Sequence, residues 1–321
     1  MERRYSLQWY LHTPLYAFRK SKALSQQYLG QFNLRAFQAR FAQTSNTRED
    51  FTKGGLLKSC LCNQKDLDSE ALSTWLDTLA HPTASVSNRQ RKTWEWCFIA
   101  QALSERELLQ HSKRGLGFAV GTEPLPAFLA SRGCEIVATD LSSDDREAAA
   151  WQETNQHASN LEELNAKGLC DEEKFKQLVS FRSVDMNHIP ADLKQSQFDF
   201  VWSSCSLEHL GSLSKGMAFI ESSLECLKPG GIAVHTTEFN LSSNLFTVDN
   251  QQTVIYRRRD IEALAKRLRA RGHQIELDFT QGQAPADKFV DVPPYQSDNH
   301  LRLLLSGYVC TSIGLIIRKA W

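Results

Sequence analysis

The chain has 321 residues, enough for one large α/β unit with an added segment. Its 37 basic and 37 acidic side chains cancel, so no overall field draws it to nucleic acid or to an anionic membrane, and a compact substrate is favoured over a polyanion. Arg3 and Arg4 are followed by Gln8, His12 and Pro14; neither a signal-peptide core nor a membrane span is expected, and the chain reads as cytoplasmic.

From residue 1 to about 85 no strand alternation is sustained, and Tyr16, Phe18, Leu29, Phe32, Phe37 and Phe41 recur at loosely helical spacing. This predicts a helical N-terminal extension over 1–85, with His81 to Gln90 as a linker and a catalytic domain over 86–321. Arg91 to Leu109 carries a strong helix pattern, with Trp94, Cys97, Phe98 and Ala102 on one side; Trp96, two residues from Trp94, faces elsewhere. Beyond it strand-like and helix-like segments alternate. The predicted strands are 116–120, 135–139, 179–184, 198–202, 231–237, 274–279 and 309–317, and the predicted helices are 124–132, 144–178 (broken near Gly168), 214–228 and 259–271. Such alternation specifies a mostly parallel sheet with helices on both faces. The eight cysteines are scattered, several within apolar runs, which argues against a disulfide framework. Cys60 and Cys62 have no second pair at zinc spacing, so no metal is assigned.

The first informative turn runs from Gly115 to Gly133. An apolar strand enters a glycine-containing turn, and Pro124 to Pro126 open a helix whose first N–H groups are unpaired. Nineteen residues after Gly121, the strand Glu135 to Thr139 ends in Asp140, where a carboxylate can accept the hydroxyl protons of a ribose.

The second half is more specific. Phe198-Asp-Phe-Val, then Leu207-Glu-His-Leu210, then Leu227-Lys-Pro-Gly-Gly231 occur in that order, and with them the stretch 91–321 resembles the class I S-adenosylmethionine-dependent methyltransferases. The resemblance implies a Rossmann-like, seven-stranded, mostly parallel sheet whose last strand is antiparallel. It implies S-adenosylmethionine as cofactor, with Gly121 and Thr122 against the methionine part and Asp140, followed by Leu141, at the ribose. Asp185 and Met186 would flank the adenine, and Ser203 and Ser204 would line the floor. Two departures stand in the first turn, where Ala119 and Glu123 replace residues that are usually glycine. Glu123 would repel the pyrophosphate of NAD yet suits a donor with a sulfonium and an ammonium, and it joins the cofactor-binding set.

Methyl transfer is an in-line displacement that asks the protein to align acceptor and methyl and to exclude water; a hydroxyl acceptor also needs a base. His209, placed by topology at the mouth of the crevice, is the candidate base and Glu208 its neighbour in the catalytic pair. His235 and Glu238 leave the fifth strand on its carboxyl side and are candidate acceptor contacts, as is Tyr256 before a basic helix start. Gln281 to Ser306 is a long polar insertion, and its Tyr295 and His300 are candidate acceptor contacts in a lid. The expected reaction is methylation of a hydroxyl on a small molecule or glycan, with a homodimer admitted as the assembly. N-, S- or C-methylation, and a non-catalytic adenosyl-binding protein that recruits a partner, are the alternatives.

Overall fold

The structure is a computed structural model that describes residues 55–79, 89–142, 157–158, 160–195, 197–250, 252–295 and 298–321. The expected helical repeat of Tyr16 to Phe41, and the linker as far as Asn88, lie outside these residues.

The first described elements are a short strand, β1 (Ser59–Leu61), and two helices, α1 (Gln64–Leu67) and α2 (Glu70–Leu79). Asn63 starts α1 by accepting the Asp66 N–H on its side-chain oxygen at 3.2 Å. β2 (Arg89–Gln90) leads directly into α3 (Arg91–Ser104). In α3 both tryptophans are enclosed: Trp94 stacks on Phe98 and donates its indole N–H to Asp66, and Trp96 lies under the ammonium of Lys167. A helix with apolar residues all around is one that packs on several sides, and α3 lies among α2, β6, β7 and β12.

The alternating part follows as β3 (Arg114–Phe118), α4 (Leu125–Ser131), β4 (Glu135–Asp140), α5 (Glu172–Leu178), β5 (Val179–Ser183), α6 (Ala191–Gln195), β6 (Phe198–Ser204), α7 (Leu213–Ser223), β7 (Leu227–Asn240) and α8 (Arg258–Ala270). It closes with β8 (Gln274–Ile275), β9 (Leu277–Asp278), α9 (Pro285–Lys288), β10 (Asn299–His300), β11 (Leu303–Leu305) and β12 (Tyr308–Arg318). Of the helix expected over 144–178, the described residues hold a 3-10 turn at Glu162–Asn165 and α5. The insertion expected at 281–306 contains α9, β10 and β11.

The main sheet runs β5-β4-β3-β6-β7-β12-β1-β9, with β8 and β11 also paired to β12. β3 to β7 are mutually parallel and β12 is antiparallel to β7, as expected. The sheet has ten strands rather than seven. The surplus comes from short pieces on the far side of β12: β1, inside the stretch read as an extension, pairs with β12 and β9, and β11 folds back on β12 as a hairpin.

Side-chain alternation divides the core between the two faces. Phe200, Trp202 and Val234 turn toward α3 and α4, whereas Val201, Ala233 and Leu315 turn toward α7 and α8. Close approach is specified by small residues. A methyl on Gly117 would collide with the Trp202 ring, and one on Gly216 in α7 would meet the Tyr256 hydroxyl and stand 2.9 Å from the Leu207 carbonyl oxygen. We therefore expect Gly216→Ala to lower stability by about 1–3 kcal/mol in urea unfolding, the ordinary cost of overpacking. An unchanged midpoint would show that Tyr256 can move aside. Among the described residues no helix is long and apolar enough to cross a membrane.

Candidate active site

In a parallel sheet the carboxyl ends of the strands open a crevice where strand order reverses, here between β3 and β6. β3 leaves the sheet through Ala119 at φ +47° and Gly121 at φ +51°. Ala119 thus keeps the left-handed backbone that a glycine would adopt freely, at a cost of roughly 1–2 kcal/mol to an alanine. The turn is fastened to β4 by the Val120 N–H, which donates to Thr139 O at 3.0 Å.

Asp140 sits at the end of β4, buried, and its carboxylate gathers three backbone donors. Leu141 N–H reaches one oxygen at 2.8 Å, and Gly121 and Ala158 N–H each reach the other at 3.1 Å. A carboxylate offers about four acceptor positions, so these bonds occupy most of them. Burial raises its pKa. The Leu141 carbonyl accepts from His157 Nε2–H at 2.7 Å. Thr122 is half-buried in the turn.

Next to the turn lies an ionic cluster built from three directions. α3 supplies Arg91, Lys92 and Glu95; the β3–α4 turn supplies Glu123; the ends of β6 and β7 supply Ser204, Cys205, Glu208, Thr236, Thr237 and Glu238. Lys92 Nζ is 3.0 Å from Glu123 and 3.6 Å from Glu95, and donates to Ser204 Oγ at 3.2 Å. Arg91 pairs with Glu238 and donates to Ser312 Oγ at 3.2 Å; Ser312 in turn donates to Glu95. Glu95 also accepts from Ser204 at 3.3 Å and from Thr236 at 3.2 Å. Glu208 accepts the Cys205 thiol proton at 2.7 Å and the Thr237 hydroxyl proton at 2.8 Å. Burial raises the pKa of Glu123 and Glu208, and pushes Glu238 up to about 7 against the opposing pull of Arg91. Cys205, Glu208 and Glu238 bring three potential ligand atoms within 4.8 Å of one another. All three already have partners, since the Cys205 thiol donates a hydrogen bond to Glu208 and Arg91 holds Glu238.

The remaining sequence-predicted residues fall into two groups. His209, in the 3-10 turn after β6, joins the crevice edge: its Nδ1–H donates to the Gln252 carbonyl at 2.9 Å, and burial lowers its pKa to about 4. Asp185 and Met186 follow β5, where Asp185 caps the turn by accepting from Asn187 N–H at 2.8 Å and His188 Nδ1–H at 2.7 Å; Met186 is buried behind it. The others are turned to internal partners. Ser203 and Ser204 point to opposite faces of β6, and Ser203 donates to His235 Nδ1 at 2.8 Å on the α7 side. Ser223 donates to Ile220 O, so its oxygen accepts from His235 Nε2–H at 3.3 Å. His235 is fully buried and its pKa falls to about 3 for that reason. Tyr256 donates to Leu207 O at 3.2 Å. Tyr295 donates to Leu304 O at 2.6 Å and packs edge-on against His300, whose Nδ1–H donates to Asp291 at 2.7 Å; all three belong to the 281–306 insertion.

Arg91, Lys92, Glu95, Cys205 and Ser312 were not singled out from the sequence. The available signal was in α3, where Arg-Lys-x-x-Glu opens a helix that is otherwise almost wholly apolar. Charged residues on the first turn of an enclosed helix have to face other polar groups, which a strand-end crevice provides.

The methyltransferase domain family matches residues 82–300, about two thirds of the chain. No curated protein sequence matches it. Among solved structures, a protein assigned as a sarcosine dimethylglycine methyltransferase from Galdieria sulphuraria is similar at 16% identity and TM-score 0.45, over 71% of this chain and 84% of that one. Magnesium protoporphyrin IX methyltransferase from Synechocystis is similar at 14% identity and TM-score 0.40, over 69% and 80%. Phosphoethanolamine N-methyltransferase 2 from Haemonchus contortus is similar at 16% and 0.41, over 66% of this chain and 50% of that one. At these identities the likeness is one of fold.

Proposed function

We propose that this chain, which belongs to the methyltransferase domain family, transfers a methyl group from S-adenosylmethionine to a hydroxyl of a small molecule or glycan. When bound, S-adenosylmethionine supplies an electrophilic methyl carbon on a sulfonium. The crevice has the chemistry to accept such a donor. Glu95, Glu123, Glu208 and Glu238 stand there against Arg91, Lys92 and Lys167, so carboxylates are at hand to face the sulfonium and ammonium of the donor, whereas Glu123 at the turn would oppose a pyrophosphate. Asp140 and Gly121, joined by their hydrogen bond, would hold the ribose and the neighbouring thioether, with Thr122 beside them, Leu141 following Asp140, and Ser204 below. Asp185 and Met186 would flank the adenine.

The observation that carries the hydroxyl reading is the tautomer of His209. A carbonyl can only accept, so the bond to Gln252 O places the ring proton on Nδ1 and leaves Nε2 as the basic nitrogen. Burial lowers its pKa to about 4, so the ring is neutral throughout the physiological range and accepts a hydrogen bond from the attacking hydroxyl; so weak a base takes the proton only as the carbon–oxygen bond forms and the hydroxyl becomes strongly acidic. Glu208 and Glu238, next to it, would stabilise positive charge developing on the acceptor atom before that proton leaves. Glu238 titrates near 7, so its carboxylate form, and with it this stabilisation, strengthens as pH rises through that value.

The test is methyl transfer from labelled donor to a panel of hydroxylated metabolites and sugars, with wild-type protein and His209→Ala. We expect the variant to lose roughly 10²- to 10⁴-fold in turnover, with donor affinity within about two-fold by calorimetry. Full turnover in His209→Ala would remove the base and point to an acceptor that needs none, such as an amine, thiolate or carbon nucleophile. Donor binding without transfer to any acceptor would favour a non-catalytic role.

A further inference from the structure

We propose that Lys92 and Glu123 together read the amino-acid end of the donor, Lys92 taking its carboxylate and Glu123 its ammonium. This deepens the donor reading above and rests on it.

The turn after β3 departs from the family pattern at Glu123, where a carboxylate replaces a hydrogen atom. Bare backbone holds an amino acid by N–H and C=O groups alone; an anion at that position would repel the donor's own carboxylate unless a cation stood beside it. One does. Lys92 Nζ lies 3.0 Å from Glu123, on a side chain about one-third exposed, whereas the Glu123 side chain is 10% exposed and that of Glu95 is fully buried. Lys92 is therefore the solvent-reachable member of the group. Its ammonium also spans the gap from the β3 turn to β6, donating to Ser204 Oγ at 3.2 Å and to Ser204 O at 3.5 Å. The pair bridges the two strand ends between which the crevice opens.

An ion pair is a complementary surface for a zwitterion. Ammonium against carboxylate and carboxylate against ammonium give four alternating charges, and neither protein side chain loses a partner when the ligand arrives. Each member of the pair has a further charged neighbour. Lys167 lies over the Trp96 ring and adds positive potential at Glu123, while Glu95 holds Lys92 from the other side. The departure at Glu123 and the lysine of α3 are thus one device.

The test compares two ligands by calorimetry on the full chain. S-adenosylhomocysteine carries the amino-acid end; 5′-methylthioadenosine shares the adenosyl thioether and lacks it. In Lys92→Met and Lys92→Gln we expect S-adenosylhomocysteine affinity to fall by about ten-fold or more, the usual consequence of losing a charge-assisted hydrogen bond, with methylthioadenosine affinity unchanged within about two-fold. Lys92→Arg should restore most of the loss. Retained methylthioadenosine binding also shows that each variant is folded. Unchanged or tighter binding of S-adenosylhomocysteine by both variants would overturn the inference, because Lys92 would then be filling the site rather than reading the ligand. A parallel loss of both ligands would overturn it too, as a purely structural role. If the wild-type protein binds neither ligand, the donor reading itself fails and takes this inference with it.

Discussion

Asp140→Ala is expected to abolish measurable S-adenosylmethionine binding in calorimetry, a loss of at least about 3 kcal/mol, and to lower the unfolding free energy as well. Both effects come from one carboxylate. It accepts backbone N–H groups from Gly121, Leu141 and Ala158, so it joins the glycine turn to Ala158 while keeping an acceptor position for the ligand. Each of those bonds is to a charged acceptor, worth about 1.5–3 kcal/mol, and three donors, two of them buried, lose their partner when the side chain is cut back. A thermal melt run beside the titration shows whether the variant is folded at the temperature of the binding experiment. A folded Asp140→Ala protein with wild-type donor affinity would remove this residue from the donor site and leave it a purely architectural clasp.

The second large effect is on acid stability and resides in His235. Its pKa falls to about 3 in the folded protein because the ring is buried, against an ordinary value near 6.5. A histidine depressed in the folded state gives stability that is fully present above its unfolded pKa and is lost as pH falls toward the folded one. At pH 4.5 that loss is roughly 3 kcal/mol relative to pH 7.5. Replacement by glutamine costs stability at neutral pH through the bonds to Ser203 and Ser223, but removes this pH dependence. Urea unfolding at the two pH values should therefore give a smaller difference for His235→Gln than for wild type. The buried carboxylates Glu123, Asp140, Glu208 and Glu238 shift in the opposite sense, and are common to both proteins, so they cancel in the comparison. Equal losses on acidification would mean that His235 is protonated without unfolding.

What was legible in the sequence follows from how local each signal is. The strand ending at Asp140 carries Ile-Val-Ala between Glu135 and Thr139, with β-branched residues in the middle and turn residues on both sides, and its expected bounds of 135–139 agree with Glu135–Asp140 to within a residue. The strand expected at 231–237 starts earlier, at Leu227, and the Pro229-Gly230-Gly231 run lies inside it. Phe198 pairs with Leu227 and Phe200 with Ile232, so the Pro-Gly-Gly residues are taken up in a bulge inside the strand rather than ahead of it. β1 gave no signal because three residues, Ser-Cys-Leu, are too few to show a period, and their pairing partner Ile313 is some 250 positions away. The candidate site was legible where a motif marked it, at Gly121, Asp140 and the Glu208-His209 pair. It was illegible where charged side chains converge from separate elements: nothing local in Arg91 or Lys92 says that Glu238 and Glu123 will stand opposite them.

The place of β1 between β12 and β9 bears on how the molecule is made. β12 must enter a sheet whose neighbours on its two sides, β7 and β1, lie about 70 and 250 residues earlier in the chain. The central parallel strands can pair while synthesis continues, but β1 has no antiparallel partner until β12 is complete. Contacts of such sequence separation are slow to close, because the loop entropy is spent before the pairing repays it. The rate-limiting event in folding is therefore expected to be this final strand insertion, with the β7 edge exposed to other chains until it occurs.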